Sequence, residues 1–140
     1  MKKYIVSLLL LGLFFTAVLC TKKKPVADEV SSFYQEMILT TNSYADKLEA
    51  VKDSAEASKI ISEYVDRQKI LIEKGRLIKS KYPELDLHSD PALKEYEKSL
   101  ENATKHFTIS ISSAIRKYIS VTEFKESMSR LKEIDKESQK

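Results

Sequence analysis

Apolar residues recur at steps of three and four through almost all of the chain after residue 28, and this rhythm constrains the fold more than any other feature. The first stripe is Val30, Phe33, Tyr34, Met37, Ile38, Tyr44, Ala45, Leu48 and Val51. Such steps line one face of an α-helix, whereas a half-buried strand alternates. Asp28 stands before this stripe as an N-cap. Continued in phase, the stripe reaches 55, 58 and 62, but Ser58 and Ser62 occupy the last two positions. The apolar set reappears at Ala57, Ile60, Ile61, Tyr64, Val65, Leu71, Ile72 and Ile78. The jump in phase predicts a turn near Lys52–Ala55, with Asp53 or Ser54 as N-cap. Asp53 and Glu56 have the spacing of a capping box. No Gly or Pro enforces this turn.

Pro83 ends the second helix, because its ring excludes a continued ladder and disfavours the helical region at Tyr82. Residues 84–89 read as a loop in which Leu85 and Leu87 tuck against helix ends. Asp90-Pro91 restarts a helix, with an N-cap and a Pro at the first helical position. The third stripe is Leu93, Tyr96, Leu100, Ala103, Phe107, Ile111, Ala114, Ile115 and Tyr118. Beyond it, Ser120 and Glu123 either cap a fresh helix bearing Phe124, Met128, Leu131 and Ile134, or the third helix runs on with a drifting stripe. Glu63–Arg67, Glu101–Lys105 and Glu126–Arg130 stand four apart, a spacing of solvated helix faces. Each long helix needs a partner to cover its stripe. The expected fold is therefore all-α, an antiparallel three-helix bundle with room for a short fourth C-terminal helix.

Composition excludes several alternatives. Of 140 residues only two are Gly, three are Pro and one is Cys. A single Cys makes no internal disulfide and no CxxC metal or haem motif. Two Gly leave no glycine-rich phosphate loop. The 42% hydrophobic content is too high for a disordered chain.

The first twenty residues differ from the rest. Lys2 and Lys3 precede an apolar run from Ile5 to Leu19, which ends at Cys20. This is the layout of a secretory signal. Through Lys2, Lys3, the run Leu8–Phe15 and Ala17-Val18-Leu19-Cys20, the segment resembles the signal of bacterial lipoproteins. Ala17 at −3 and Leu19 at −1 depart from the common lipobox, and spirochaete lipoproteins are looser at these positions. The resemblance implies cleavage before Cys20 and acylation of that residue, and it says nothing specific about the mature domain. Two other outcomes are open: cleavage after Cys20 to release a secreted protein, or retention of the segment as an uncleaved anchor.

Under the resemblance, residues 1–19 are a signal peptide and residues 20–27 a lipid-anchored tether. Residues 28–137 form the bundle and 138–140 a frayed tail. Several acyl chains hold a protein firmly, at ~0.8 kcal/mol per buried CH₂. Lys22–Lys24 in the tether either meet anionic headgroups or are a solvated spacer. Removing the signal takes away Lys2 and Lys3 and no acid. The formal charge of +3 then falls to 22 basic against 21 acidic side chains. So balanced a chain is not expected to bind nucleic acid, which needs a clustered basic surface.

Few residues suggest chemistry. His88 lies between Asp86 and Asp90 in a loop, an incomplete set for a metal, and Asp90 is explained as a cap. His106 flanks the third stripe and Met37 lies in the first. A His and a Met on two helices suit the axial ligands of a haem bundle, but Met at helical spacing is core material. No nucleophile motif accompanies the abundant Ser. Tyr34, Tyr44, Tyr64, Tyr82, Tyr96 and Tyr118 suit either core edges or a recognition surface. The segment from Glu123 to Lys140 either docks on the bundle or serves as a helical ligand for a partner.

The expected function is that of a non-enzymatic, lipid-anchored cell-envelope protein, with a binding or scaffolding role and no cofactor. It meets the inner or outer membrane through acyl chains on Cys20. The alternatives are a small helical carrier of haem or lipid and a protein secreted to the periplasm or outside.

Overall fold

In a computed structural model the described residues are 2–84 and 91–138, with side chains over 26–84, 91, 93–134 and 136. Four helices and no strand occur among them: α1 (Lys2–Ala50), α2 (Ser54–Lys81), α3 (Pro91–Tyr118) and α4 (Thr122–Ser138). The chain is all-helical, and it divides into two compact units, Met1–Ser32 and Phe33–Lys140.

In the first unit, α1 has no break at the expected tether. Asp28 lies inside the helix rather than at its start. Its carboxylate has no exposed first turn to cap, because the residues before it are themselves helical. Ser31 Oγ donates to the Ala27 carbonyl at 2.6 Å, a bond back along the same helix.

In the second unit, the turn after α1 forms where the stripe changes phase. Asp53 is extended, with φ −143° and ψ 172°, and its Oδ1 accepts the Glu56 N–H at 2.8 Å. Glu56 Oε2 reaches back to the Lys52 N–H at 3.0 Å. The pair thus acts as a capping box displaced by one residue, since Glu56 takes the donor before the N-cap rather than that of Asp53. Val51 beside the turn is buried, which holds the turn to the core. At the far end of α2, the Tyr82 N–H donates to the Ile78 carbonyl at 2.9 Å and Pro83 follows, as expected. Pro91 opens α3. Leu85, Leu87, His88 and the cap proposed at Asp90 lie outside the described residues.

Helix α3 does not run on. It ends at Tyr118, and α4 starts at Thr122, after a turn closed by the Val121 N–H on the Tyr118 carbonyl at 2.9 Å. Ser120 lies in that turn, while the Val121 carbonyl accepts the first helical donor, Lys125 N–H, at 3.1 Å. The break turns Phe124 inward to a side-chain exposure of 0%. Helix α4 packs along α2 and is part of the body of the fold.

All four helices supply the core. Ala45, Leu48, Ala57, Ile61, Tyr64, Phe107, Ile111, Ala114 and Phe124 form one cluster, with Tyr44, Tyr118 and Met128 packed at its edge. Tyr64 and Phe107 stack with ring centroids 4.2 Å apart, Tyr44 and Tyr64 lie 5.4 Å apart, and Tyr118 meets Phe124 at 6.0 Å. Four small hydroxyl residues are also buried: Thr41, Ser58, Ser110 and Ser127. Thr41 fills the gap that the first stripe leaves between Ile38 and Tyr44. Ser58 occupies the position expected from the α1 phase and is core after all, with its Oγ returned to the Ser54 carbonyl at 2.8 Å.

Ion pairs link helices as well as staying within them. Glu36 of α1 accepts from both Arg67 and Lys74 of α2. Arg130 of α4 bonds Asp66 of α2 at 2.9 Å. Arg67 and Arg130 thus turn to neighbouring helices, whereas Glu101–Lys105 keeps its expected intrahelical contact at 2.7 Å.

Candidate functional site

Cys20, the one residue to which the sequence assigns a modification, falls in the helical backbone of α1, and its side chain lies outside the described residues. Among the described residues, the candidate chemistry gathers where α3 crosses the end of α1. His106 Nε2 lies 3.0 Å from Glu49 Oε1 and 3.9 Å from Asp46 Oδ1. Ser110 Oγ lies 3.0 Å from the same Glu49 oxygen and 3.0 Å from the His106 carbonyl. One helical turn separates His106 from Ser110, and a further turn relates Asp46 to Glu49, so two helices bring four polar groups together.

The order of these groups decides what they can do. A serine nucleophile needs its hydroxyl on the imidazole, with the carboxylate behind the ring. Here Glu49 sits in the middle and joins both His106 and Ser110, so the imidazole does not address the hydroxyl. Ser110 is moreover buried, with an exposure of 1%. The arrangement is a polar clamp between α1 and α3. Glu49 is absent from the sequence reading; its only signal is its place one turn after Asp46 on the flank of the first stripe.

Met37 and His106 are not brought together. Glu49, the partner of His106, is twelve positions beyond Met37 on α1, roughly 18 Å at 1.5 Å per residue. One iron cannot span that distance. No group of three or more His, Cys, Asp or Glu among the described residues is placed to hold a metal ion. The proposed neighbours of His88 lie outside the described residues.

The tyrosines take core-edge places. Tyr34 and Tyr64 are buried. Tyr34 stacks on Tyr96 at 6.2 Å, and Gln35 Nε2 donates to the Tyr96 hydroxyl at 3.1 Å. Burial, and then the charge of Glu97, push the Tyr34 hydroxyl above its usual pKa. Burial is also the main cause of the rise at Tyr44, with Glu63 adding to it.

Among the described residues, two surface clefts lie along the helices. A polar one of about 180 Å³ lies between α2 and α4 and is lined by Ser58, Lys59, Ser62, Glu123, Ser127 and Arg130, among others. A shallow one of about 540 Å³ runs along α3 over Glu101, Thr104, Lys105, Thr108 and Ile109. Its threonines turn their hydroxyls back on the helix: Thr104 bonds the Leu100 carbonyl at 2.9 Å and Thr108 the Thr104 carbonyl at 2.8 Å. Neither cleft presents a nucleophile with its base.

Among the described residues no helix is long and apolar enough to cross a membrane. Comparison of the chain with known protein families, curated proteins and solved structures finds no match. The fold and the polar clamp therefore define a class in structural terms only, that of packed α-helical proteins.

Proposed function

We propose that the protein is a lipid-anchored cell-envelope protein, acylated on Cys20, whose helical bundle has a non-catalytic binding or scaffolding role. The observation that carries this reading is the position of the single Cys, at the end of an apolar run that follows Lys2 and Lys3. Acyl chains on Cys20 are then its contact with the inner or outer membrane, and nucleic acid is not among its partners.

The bundle is read as antiparallel. Glu36 with Lys74 and Tyr44 with Tyr64 support opposed directions for α1 and α2. Gln35 with Tyr96 and Glu49 with His106 support an α3 that returns along α1. Asp66 with Arg130 agrees with an α4 that follows α2. The three-helix expectation thus extends to four. A scaffold is favoured over a haem or lipid carrier because the Tyr64–Phe107 stack fills the middle of the cluster, where a carrier keeps room for its ligand.

Metabolic labelling with a fatty acid tests the anchor. Label should enter the wild-type chain and vanish in Cys20→Ala. Equal labelling of both would overturn the proposal.

A further inference from the structure

Positive charge is concentrated in the second half of α2. Arg67, Lys69, Lys74, Arg76, Lys79 and Lys81 lie there against one acid, Glu73. The rest of the chain from Cys20 onward carries sixteen basic and twenty acidic residues, so it is net acidic. The basic stretch also bears exposed aliphatic side chains. Ile70, Lys74, Leu77 and Lys81 follow one another at steps of four, three and four, which aligns them as one ridge on the helix. Ile70 is 55% exposed and Leu77 69%, while their neighbours Leu71 and Ile78 are buried. Ile70 and Leu77 therefore point away from the core, while the Lys74 head between them reaches Glu36 of α1. Lys69 and Arg76 lie further round the helix, both exposed. Several of these cations already have acids beside them: Glu36 of α1 accepts from Arg67 and Lys74, Asp66 bonds Arg130 and lies 3.9 Å from Lys69, and Glu73 lies 4.0 Å from Arg76.

We propose that this face of α2 rests on an anionic lipid surface. A polyanion such as nucleic acid would use the cations and leave Ile70 and Leu77 unused. A lipid interface takes both kinds of group: headgroup phosphates receive the ammonium and guanidinium ends, and the acyl boundary receives the aliphatic side chains between them. Lysine stems lie along apolar surface while their heads stay in the polar layer, so the mixed ridge suits that boundary. Gly75, in the same stretch of α2, packs near Phe33 of α1. The lipid contact is separate from the acyl anchor, because labelling of Cys20 reads the anchor and a reporter on α2 reads the face.

The chain contains no Trp, so one introduced Trp reports its own surroundings. Full-length protein carrying Leu77→Trp is reconstituted in vesicles of phosphatidylcholine with or without phosphatidylglycerol, and emission and acrylamide quenching are recorded. Trp at position 77 should shift to the blue and become shielded only when phosphatidylglycerol is present. Trp introduced as Ile109→Trp on α3 should keep a water-like emission on both. A cation near an anionic surface changes occupancy about fivefold, so Lys69→Gln with Lys81→Gln should lower the ratio of lipid-bound to free face roughly 25-fold. Identical position-77 emission on the two vesicles overturns the proposal, as does an equal shift at position 109. An equal shift on adding an oligonucleotide without phosphatidylglycerol would assign the face to polyanions in general and also overturn it.

Discussion

Tyr64 of α2 and Phe107 of α3 lie ring against ring, with centroids 4.2 Å apart and planes inclined by 28°. The pair joins two helices that are separated in sequence by residues 82–90. Phe107 is 7% exposed, while the next residue back, His106, keeps a side-chain exposure of 35%. Phe107→Ala should therefore cost ~3–5 kcal/mol, from lost transfer energy and the cavity left behind. His106→Ala should cost under ~1 kcal/mol, as a partly exposed polar contact. Equilibrium chemical denaturation of the two variants measures the difference. Comparable losses would mean that the His106–Glu49 clamp, and not the ring stack, holds α3 in place.

Phe124 is wholly buried in the same cluster. Phe124→Ala should cost ~3–5 kcal/mol as well, a large part of the ~5–15 kcal/mol that stabilises a domain of this size. A stop codon at Thr122 should give a chain whose helical circular dichroism melts without cooperativity. A cooperative melt at the wild-type temperature would show that α4 is dispensable.

Asp53 and Glu56 satisfy two backbone donors where α2 begins. Asp53→Ala should lower stability by ~1 kcal/mol. Asp53→Asn should retain most of it, because the amide oxygen also accepts the Glu56 N–H. Thermal denaturation of the two variants checks this, and equal losses would remove the cap from the account.

Glu36 makes the bundle sensitive to acid. The hydrogen bond from Lys74 holds its carboxyl below the usual carboxylate range; partial burial opposes this, and the charges of Lys74 and Arg67 reinforce it. The folded chain thus binds this proton less readily than the unfolded chain does. The stabilisation is present in full above the unfolded carboxylate pKa and is lost as pH falls through the lower folded value. With the carboxylate 27% exposed and both cations more so, the effect should be at most about 1 kcal/mol. Denaturation midpoints measured from neutral to acid pH should fall less steeply in Glu36→Gln than in wild type. Parallel curves would leave Glu36 without a share in acid unfolding.

The helices were legible because their signals are local. Stripes at three-and-four spacing, the Asp53–Glu56 pair, and Pro83 and Pro91 act within a few residues, and each appears where the sequence puts it. The buried hydroxyls were not legible in the same way. Ser58, Ser110 and Ser127 look polar in sequence, yet each places its Oγ on a carbonyl of its own helix, which removes much of the penalty for burying it. Glu101–Lys105 forms as its spacing suggests, but Arg67 and Arg130 turn to other helices for a different reason. Arg67 has Glu63 four residues before it, but the nearer attraction is Glu36 on another helix, and only packing shows that. Glu49 became part of a clamp for the same reason. The end of α3 remained open in sequence because nothing at Ile119–Val121 forbids a continuous helix; the burial of Phe124 distinguishes the two outcomes.

The inward position of Phe124 has a consequence for how the chain is made. Its ring belongs to the last seventeen-residue helix, and it closes a cluster begun by Ala45 and Leu48 near the start of the same unit. Synthesis delivers residues in order, so the earlier helices emerge with Ile61 and Tyr64 lacking their final neighbour. Complete folding of the unit has to wait until α4 has emerged. A chain cut short by premature termination before Phe124 would leave Ile61 and Tyr64 without that cover and open to proteases.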